Sequence, residues 1–344
     1  ICDREREDSA IYLSVCCEGS PVPETLEIEN WRGIKPKYEA YGKCSKCFEN
    51  VDFAKEYPEY SRTHIKKWIE KGFLTLDGKQ VKPRTKIMGN EIVEIRAEEE
   101  ELIKDLPEDI DIDIIFEDKD LIVVNKASNL VVHPGAGNKK GTLVNGLLAY
   151  NKNLSFLPRA GIVHRLDKNT SGLLISAKNE STYINLVRQL KERLISRKYL
   201  ALVVGEPISG GKIDAALGRH PRYRTKQAVV KKGKNALTFY KIVEKYQGYS
   251  LLEASLSTGR THQIRVHFSY LGYPIVGDNT YGGKRKFPAG ISEITREKIS
   301  QFPRQALHAS KLQFRHPQTG NMVSLHAPLP RDMSDLISFL KRNV

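Results

Sequence analysis

The chain has 344 residues, of which 40% are hydrophobic, and it carries a formal net charge of +14. This length is enough for two or more domains. No apolar run approaches the roughly 18 residues of a transmembrane helix, and no secretory signal is evident, so we expect a cytoplasmic protein without a membrane partner. The positive charge favours a polyanionic partner, since cations that neutralise phosphates release counterions. Charge alone is equally compatible with a role in solubility.

Residues 1–52 differ from the rest of the chain and show no clear periodicity. All five cysteines lie here: Cys2, Cys16, Cys17, Cys44 and Cys47. A disulfide framework would be expected to span the main body, so we infer a reducing compartment. The last two cysteines have the spacing of half a zinc site, but no second pair follows nearby, and we predict no metal. The segment is either a divergent extension or a translated upstream sequence foreign to the natural protein. We favour the second interpretation.

Residues 62–71 are predicted to form a helix capped by Ser61. Three apolar residues share one face of it, and three cations lie largely opposite: Arg62, Lys66 and Lys67. A hairpin with an Asp77-Gly78 turn and a strand over 92–95 should follow. Residues 53–97 resemble the alpha-L RNA-binding module, without the opening of its usual first helix. The resemblance implies RNA contact by the three cations, whereas a solvated helix face is the alternative.

An acidic stretch over 98–112 indicates an interdomain linker, and the main domain is assigned to 113–344. Alternating apolar patterns predict a hairpin over 113–126, a strand ending at 132–135, a helix over 142–150 and strands over 174–177, 198–204, 237–244, 250–257, 305–314 and 322–326. Further helices are expected over 180–195, 260–271 and 329–342. The first of these should bury Ile184, Val187, Leu190 and Leu194. This pattern indicates an α+β domain with a mixed, largely antiparallel sheet.

Between Asp214 and Glu244 the chain contains eight Lys and Arg residues and no acid. Arg222 and Arg224 flank Tyr223 in this segment. A cation-rich hairpin with an aromatic side chain suits phosphate contact and base stacking. The alternative is an exposed loop with no ligand.

The loop over residues 161–172 concentrates His, Arg, Asp, Thr and Ser between two apolar segments, which we read as strand, polar loop, strand. Folding alone rarely calls for these residues there. Asp167 would be held beside a cation, Thr170 and Ser171 would bond loop backbone groups, and Gly172 would let the chain turn out of the loop. The alternative is a loop in which an Asp–Arg ion pair has only a structural role.

The string His164-Arg-Leu-Asp-Lys-Asn-Thr-Ser-Gly172 closely resembles the signature of the RluA-type pseudouridine synthases, and the similarity continues at residues 197–199, 258–267 and 274–278. It covers roughly residues 53–344. The resemblance implies a pseudouridine synthase fold and conversion of uridine in RNA to pseudouridine, an isomerisation that needs no cofactor. The most similar members modify the helix 69 hairpin loop of 23S rRNA in the large ribosomal subunit precursor. Members with other target uridines are the alternative.

The resemblance also implies roles for individual side chains. Asp167 would be the catalytic carboxylate, attacking C1′ or removing the 2′ proton. Tyr199 would stack on the target base and help move the C5 proton. Arg265 would pair with Asp167 and keep it ionised. Arg165 would fill the gap left by the flipped base, and Arg260 would contact phosphate.

Two rival functions follow from other classes of protein. One is a catalytically silent RNA-binding or ribosome-assembly factor, against which the intact Asp167, Tyr199 and Arg265 argue. The other is a nucleoside glycosidase, which usually needs a second carboxylate. Neither a Gly-rich phosphate loop nor a nucleotide-cofactor fingerprint is present in the sequence, and we expect a monomer.

Overall fold

The computed structural model describes residues 12–14, 38–40, 50–52, 62–82, 85, 93–95, 106–135, 138, 140–283 and 287–342. The chain divides into two compact units, residues 1–100 and residues 101–344. Cys44 and Cys47, at which no metal is predicted, lie outside the described residues.

The described residues of the first unit form a helix and short strands. Their bounds are β1 Tyr12–Ser14, β2 Tyr38–Ala40, β3 Asn50–Asp52, α1 Arg62–Glu70, β4 Leu74–Leu76, β5 Lys79–Gln80 and β6 Val93–Ile95. The predicted helix is confirmed, and its apolar side chains Ile65, Trp68 and Ile69 are buried. β1 pairs with β3, and the other strands form a sheet in the order β2-β6-β4-β5. Both residues of the Asp77-Gly78 turn have positive φ, as a tight hairpin requires.

The second unit is built on a nine-stranded sheet. Its strands and the adjoining hairpin are β7 Ile114–Glu117, β8 Leu121–Lys126, β9 Ser171–Ala177, β10 Ser196–Val204, β11 Gly211–Asp214, β12 Leu217–Arg219, β13 Gln227–Val229, β14 Leu237–Tyr246, β15 Tyr249–Leu256, β16 Leu307–Arg315 and β17 Met322–His326. The helices are α2 Leu143–Tyr150, α3 Glu180–Lys191, α4 Gln263–Tyr270, α5 Glu293–Gln301 and α6 Arg331–Arg342.

The sheet runs in the order β11-β14-β15-β10-β16-β9-β8-β7, with β17 added to β16. The pair β9–β16 is parallel, and the other pairs in this sheet are antiparallel. The predicted α+β architecture with a mixed, largely antiparallel sheet is therefore confirmed. β12 and β13 form a separate hairpin within the basic segment.

Gly172 permits the parallel contact between β9 and β16. Its φ is +113°, and a Cβ at this position would lie 2.3 Å from the carbonyl oxygen of Ala309 on β16. The glycine is thus needed for close approach of two strands, because any larger residue would force them apart. This places the end of the polar loop directly against the centre of the sheet.

Helix α3 buries a different face from the predicted one. Val187 and Leu194 are exposed, and the buried residues of the helix are Thr182, Leu186 and Gln189. This face is buried because Gln189 makes two hydrogen bonds to the backbone of Arg315. Its side chain donates to the Arg315 carbonyl at 2.7 Å and accepts from the Arg315 N–H at 3.1 Å. Two hydrogen bonds to the end of β16 fix the rotation of the helix, which an apolar pattern cannot reveal.

Other boundaries also differ from prediction. Residues 158–161 form a turn in which Arg159 and Ala160 have left-handed φ values of 56° and 52°. Ile162 makes only an isolated bridge to Ser176, so no strand leads into the polar loop. Residues 131–135 form isolated bridges rather than a strand. Helix α4 begins at Gln263 because His262 has a left-handed φ of 57°. Helix α5 was not predicted. None of the helices in the described ranges is long and apolar enough to cross a membrane.

Candidate active site

Two buried cations hold the backbone of the polar loop next to Asp167. The Lys126 ammonium, 1% exposed, donates to the carbonyls of Ala127, Leu130 and Lys168 at 2.7, 2.9 and 3.0 Å. Burial lowers the pKa of Lys126 to about 7, and Asp167 nearby opposes that shift. Three carbonyl acceptors match the three N–H groups of the charged form, so this geometry belongs to the ammonium.

Arg304 supports the same loop from the other side. Its guanidinium makes a two-pronged ion pair with Asp332 at 2.6 and 2.8 Å and donates to the carbonyl of Asn169 at 3.2 Å. The predicted backbone contacts of Thr170 and Ser171 are wrong. The Thr170 hydroxyl instead accepts from Gln305, and the Ser171 hydroxyl pairs with His308. The loop is therefore fixed by partners far away in sequence.

Asp167 shares one arginine with a second, deeply buried carboxylate. Arg265 Nη1 lies 2.9 Å from Asp167 Oδ2, while its Nε and Nη2 donate to the two oxygens of Asp278 at 2.7 and 2.9 Å. The Asp278 side chain is 1% exposed, whereas that of Asp167 is 17% exposed. The two carboxylates raise the pKa of Arg265 against the effect of burial. Asp278 thus fixes the Arg265 guanidinium, which donates through its Nη1 to Asp167.

His262 and Tyr281 complete the surroundings of the ion pair. His262 Nε2 lies 3.8 Å from Asp167 Oδ1, and its Nδ1 lies 2.7 Å from the Tyr281 hydroxyl. The Arg265 guanidinium lies 5.0 Å from the centre of the Tyr281 ring, within the range of a cation–π contact. Burial lowers the pKa of His262, although Asp167 acts in the opposite direction. The imidazole is accordingly neutral at physiological pH.

Tyr199 lies on β10 and is 5% exposed. Burial, reinforced by the negative charge of Asp167, raises the pKa of the phenol, while Arg197 acts to lower it. The hydroxyl therefore stays protonated at neutral pH and is able to donate a proton or hydrogen bond.

Asp167 lies where two cavities of about 530 Å³ meet. Arg165, His262 and Arg265 line both cavities, and Tyr199 and Arg260 line the first. Within the described part of the chain, Asp167 is the only carboxylate that lines either one. Five of the predicted site residues thus surround one cleft: Arg165, Asp167, Tyr199, Arg260 and Arg265.

The remaining predicted RNA contacts lie elsewhere. Arg222 and Arg224 are exposed in the loop of the β12–β13 hairpin, and neither lines the two cavities. Lys66 is exposed on α1 of the first unit. Arg62 and Lys67 lie on the same helix, but their side chains are outside the described residues.

Sequence reasoning missed three charged side chains that order the site. Lys126, Arg304 and Asp278 are each at most 5% exposed. Asp278 belongs to the stretch 274–278 that resembles the family, but no role was predicted for it. The available signal was an acid directly after the apolar segment 274–277, because a carboxylate that is buried there needs a charged or hydrogen-bonding partner.

One group of potential metal ligands occurs in the described ranges, away from the cleft: Asp118, Asp120 and His316. His316 Nδ1 accepts the backbone N–H groups of Gln318 and Thr319. Its Nε2 therefore carries the proton and donates to Asp118 at 2.7 Å. This tautomer leaves no imidazole lone pair free for a metal, so the arrangement is that of a hydrogen-bonded His–Asp pair.

The family model described as RNA pseudouridylate synthase matches residues 120–270, which include the polar loop, Tyr199 and Arg265. The chain is also 46% identical over 291 residues to the ribosomal large subunit pseudouridine synthase D of Vibrio vulnificus, covering 84% of this chain and 90% of that protein. The protein of the same name from Escherichia coli strain K12 is 46% identical over 289 residues, 84% of this chain and 89% of that protein. The chain belongs to the RNA pseudouridylate synthase family.

Solved structures agree with this assignment. The human RNA pseudouridylate synthase domain containing 4 has a TM-score of 0.53 at 26% identity, over 67% of this chain and 93% of that one. The human domain containing 1 protein has a TM-score of 0.50 at 27% identity, over 67% and 95%. The protein is thus an RNA pseudouridine synthase, and the expected family and fold are confirmed.

Proposed function

We propose that this pseudouridine synthase isomerises uridines of 23S rRNA in the large ribosomal subunit precursor, with the helix 69 hairpin loop as its target. The names of its relatives, which refer to the large ribosomal subunit, support the choice of RNA. The motif resemblance described above supports the choice of hairpin. The net charge of +14 suits a phosphate-rich substrate. We place the enzyme in the cytoplasm, as a monomer.

We further propose Asp167 as the catalytic carboxylate. The observation that carries this assignment is its position as the only carboxylate lining the cleft among the described residues. Breaking the glycosidic bond builds positive charge on the sugar, which an adjacent carboxylate stabilises or attacks. Either attack at C1′ or removal of the 2′ proton is open to Asp167. The absence of a second cleft carboxylate in these residues argues against a hydrolytic glycosidase.

The other cleft residues then take complementary roles. Arg265 keeps Asp167 ionised and oriented, because Asp278 holds its guanidinium in place. Tyr199, as a buried and protonated phenol, stacks on the uracil and assists proton movement at C5. Arg165 is exposed at the junction of the two cavities, where it would replace the flipped base in the RNA stack.

Outside the cleft, the substrate has two further contact regions in this proposal. Arg222 and Arg224 of the hairpin loop and Arg260 at the cavity edge contact phosphates. Residues 53–97 act as an alpha-L RNA-binding domain through Arg62, Lys66 and Lys67, and residues 98–112 link it to a catalytic domain over 113–344.

The test is carbodiimide labelling and primer extension on rRNA from cells that lack this protein and are complemented with wild type or Asp167→Asn. Stops in helix 69 that return only with wild type would support the reaction, the residue and the substrate. Stops that return at other uridines would retain the enzyme class and favour the alternative targets. No restored stops with wild type would favour a silent RNA-binding factor.

A further inference from the structure

One arm of the first cavity is lined by cations that the proposed chemistry does not use. Arg159, Lys191, Arg193 and Arg197 line it, in addition to Arg165, Arg260 and Arg265. Arg193 follows the end of α3 with a left-handed φ of 61°. Among the described residues, no carboxylate other than Asp167 lines this arm, and it is already paired with Arg265. This excess of positive charge is suited to an anion from outside the protein.

Two residues that line the same cavity carry buried hydrogen-bond donors without partners among the described residues. Arg197 Nε and His164 Nδ1 are both inaccessible to solvent and have no hydrogen-bond acceptor in the described residues. His164 Nε2 accepts the N–H of Ile175 at 3.2 Å, so its Nδ1 carries the hydrogen. Burial, together with the charge of Arg197, lowers the pKa of His164 to about 3, so the ring remains a neutral donor. Buried unpaired donors of this kind are rare and costly, which calls for an absent acceptor.

The guanidinium of Arg197 lies against the motif that follows β15. A Cβ added to Gly259 would lie 2.8 Å from Arg197 Nη1. The φ of Gly259 is not in the left-handed region, so its backbone does not itself require glycine. The missing side chain instead leaves room for the guanidinium, whose placement is thereby coupled to the loop that carries Arg260 and His262.

We propose that Arg197, with the N–H of His164 as a second donor, binds one backbone phosphate of the RNA next to the flipped uridine. This inference rests on the proposed function and specifies where the flanking strand lies: in the arm between Asp167 and the end of α3. A phosphate fits better than a uracil carbonyl, because a neutral acceptor would not require the neighbouring cations Lys191 and Arg193. Side-chain rotation on binding, which is common at interfaces, brings the donors to the phosphate oxygens.

The test removes the charge of Arg197 in the protein and the charge of single phosphates in the RNA. The RNA is the hairpin in which the mapping above finds pseudouridine, prepared with single uncharged methylphosphonate linkages at each position around the target. Single-turnover kcat/KM is measured for wild type, Arg197→Met and Gly259→Ala, the last of which displaces the guanidinium without removing charge. Arg296→Met, an exposed arginine on α5 outside both cavities, is the matched control. Thermal unfolding midpoints verify that each variant is folded.

With unmodified RNA, Arg197→Met and Gly259→Ala should each lose about tenfold or more, the usual scale of a charged hydrogen bond. A methylphosphonate at one linkage flanking the target should lower the kcat/KM of wild type by a similar factor. The same linkage should not lower the kcat/KM of the two variants below their values with unmodified RNA. Other linkages should affect all proteins alike. If each linkage lowers kcat/KM by the same factor in the variants and in wild type, the proposed phosphate subsite is wrong. That pattern is expected when Arg197 has only a structural role. Failure of the proposed function is distinguishable, since wild type would then form no pseudouridine in unmodified RNA.

Discussion

At the scale of single residues, the site depends on how Arg265 divides its five N–H groups. Asp278 takes two of them in a buried fork, and Asp167 takes one from the side. Because Asp278 is almost fully buried, its charge depends on this pair and on the backbone N–H groups of Thr280 and Tyr281, which donate to its Oδ1 at 2.9 and 3.1 Å. Asp278 therefore acts as a positioning residue, which orients Arg265 and through it the carboxylate in the cleft.

Asp278→Ala should lower the free energy of unfolding by about 3 kcal/mol, the usual cost of breaking a buried pair. It should also lower kcat more than it raises KM, because Arg265 would no longer be held. Urea unfolding and tritium release from RNA labelled at uridine C5 measure the two effects. Asp335→Ala removes an exposed acid 3.8 Å from Arg331 and should cost less than about 0.5 kcal/mol. Equal stability of the two variants would contradict this account.

At the scale of elements, the parallel contact of β9 with β16 joins the polar loop to the core. Gly172 and Ala309 form one register pair, and Ser171 and His308 form the other, with a side-chain hydrogen bond between them of 3.0 Å. The loop that carries Asp167 ends where this contact begins. Its position is thus determined by the backbone separation of two strands.

Gly172→Ala should lower the free energy of unfolding far more than Gly320→Ala, a substitution at another glycine with positive φ. At Gly172 the added Cβ would lie 2.3 Å from a backbone oxygen, whereas at Gly320, with φ of +71°, it would meet nothing within 4 Å. Gly320→Ala should cost only about 1–2 kcal/mol, from conformation alone. We expect more than about 3 kcal/mol for Gly172→Ala, measured by urea unfolding, with loss of activity. Similar costs at both positions would show that close packing is not the constraint.

His308 predicts how this contact responds to acid. Burial lowers its pKa to about 4 from 6.5, so the unfolded chain binds a proton between these values and the folded chain does not. Its contribution to stability is therefore present above pH 6.5 and is lost as the pH falls towards 4, by up to about 1.4 kcal/mol per pH unit.

His308→Gln should remove this contribution, because Gln hydrogen-bonds without titrating. The free energy of unfolding, measured in urea between pH 7.5 and 5.5, should fall less steeply in the variant than in wild type. His326→Gln, at an exposed position on β17, is the control and should keep the wild-type slope. Identical slopes for His308→Gln and wild type would contradict a neutral, buried His308.

The sequence predicted most of these elements because alternating apolar residues report burial directly. It placed β8, β10, β14 and β15 and the helices α2 and α6 close to their observed bounds. It could not predict the rotation of α3, which depends on the hydrogen bonds of Gln189 to Arg315, 126 residues away. Asp278 and Lys126 were missed for the same reason, since their partners lie distant in sequence and only the folded chain brings them together.

At the scale of the whole molecule, the buried cations that order the cleft differ from the exposed cations of the hairpin. Arg265 is buried and doubly paired, whereas Arg222 and Arg224 are exposed beside Tyr223, itself 52% exposed. In the proposed function, the buried cation orients Asp167 and the exposed ones contribute affinity for phosphate. The two groups should therefore respond differently to salt and to substitution.

The double variant Arg222→Gln/Arg224→Gln should weaken RNA binding and leave kcat at saturating RNA within about twofold. If both side chains contact phosphates, the slope of log K against log salt should become shallower by about 1.5–2. Filter binding from 50 to 300 mM salt measures this slope. Arg296→Gln/Arg331→Gln, which changes the same net charge on helices α5 and α6, is the control. An unchanged slope would remove the hairpin from the RNA interface.

We propose that a single carboxylate, Asp167, performs the reaction in this cleft. Its most direct test is tritium release from 23S rRNA labelled at uridine C5, with wild type and Asp167→Asn, and with RNA binding measured on the same preparations. Asp167→Asn should reduce release by on the order of 10³-fold or more, since the lost charge acts at the transition state. Its RNA affinity should stay within about twofold of wild type, because the phosphate contacts are unchanged. An Asp167→Asn enzyme that retains more than about a tenth of wild-type release would contradict the account.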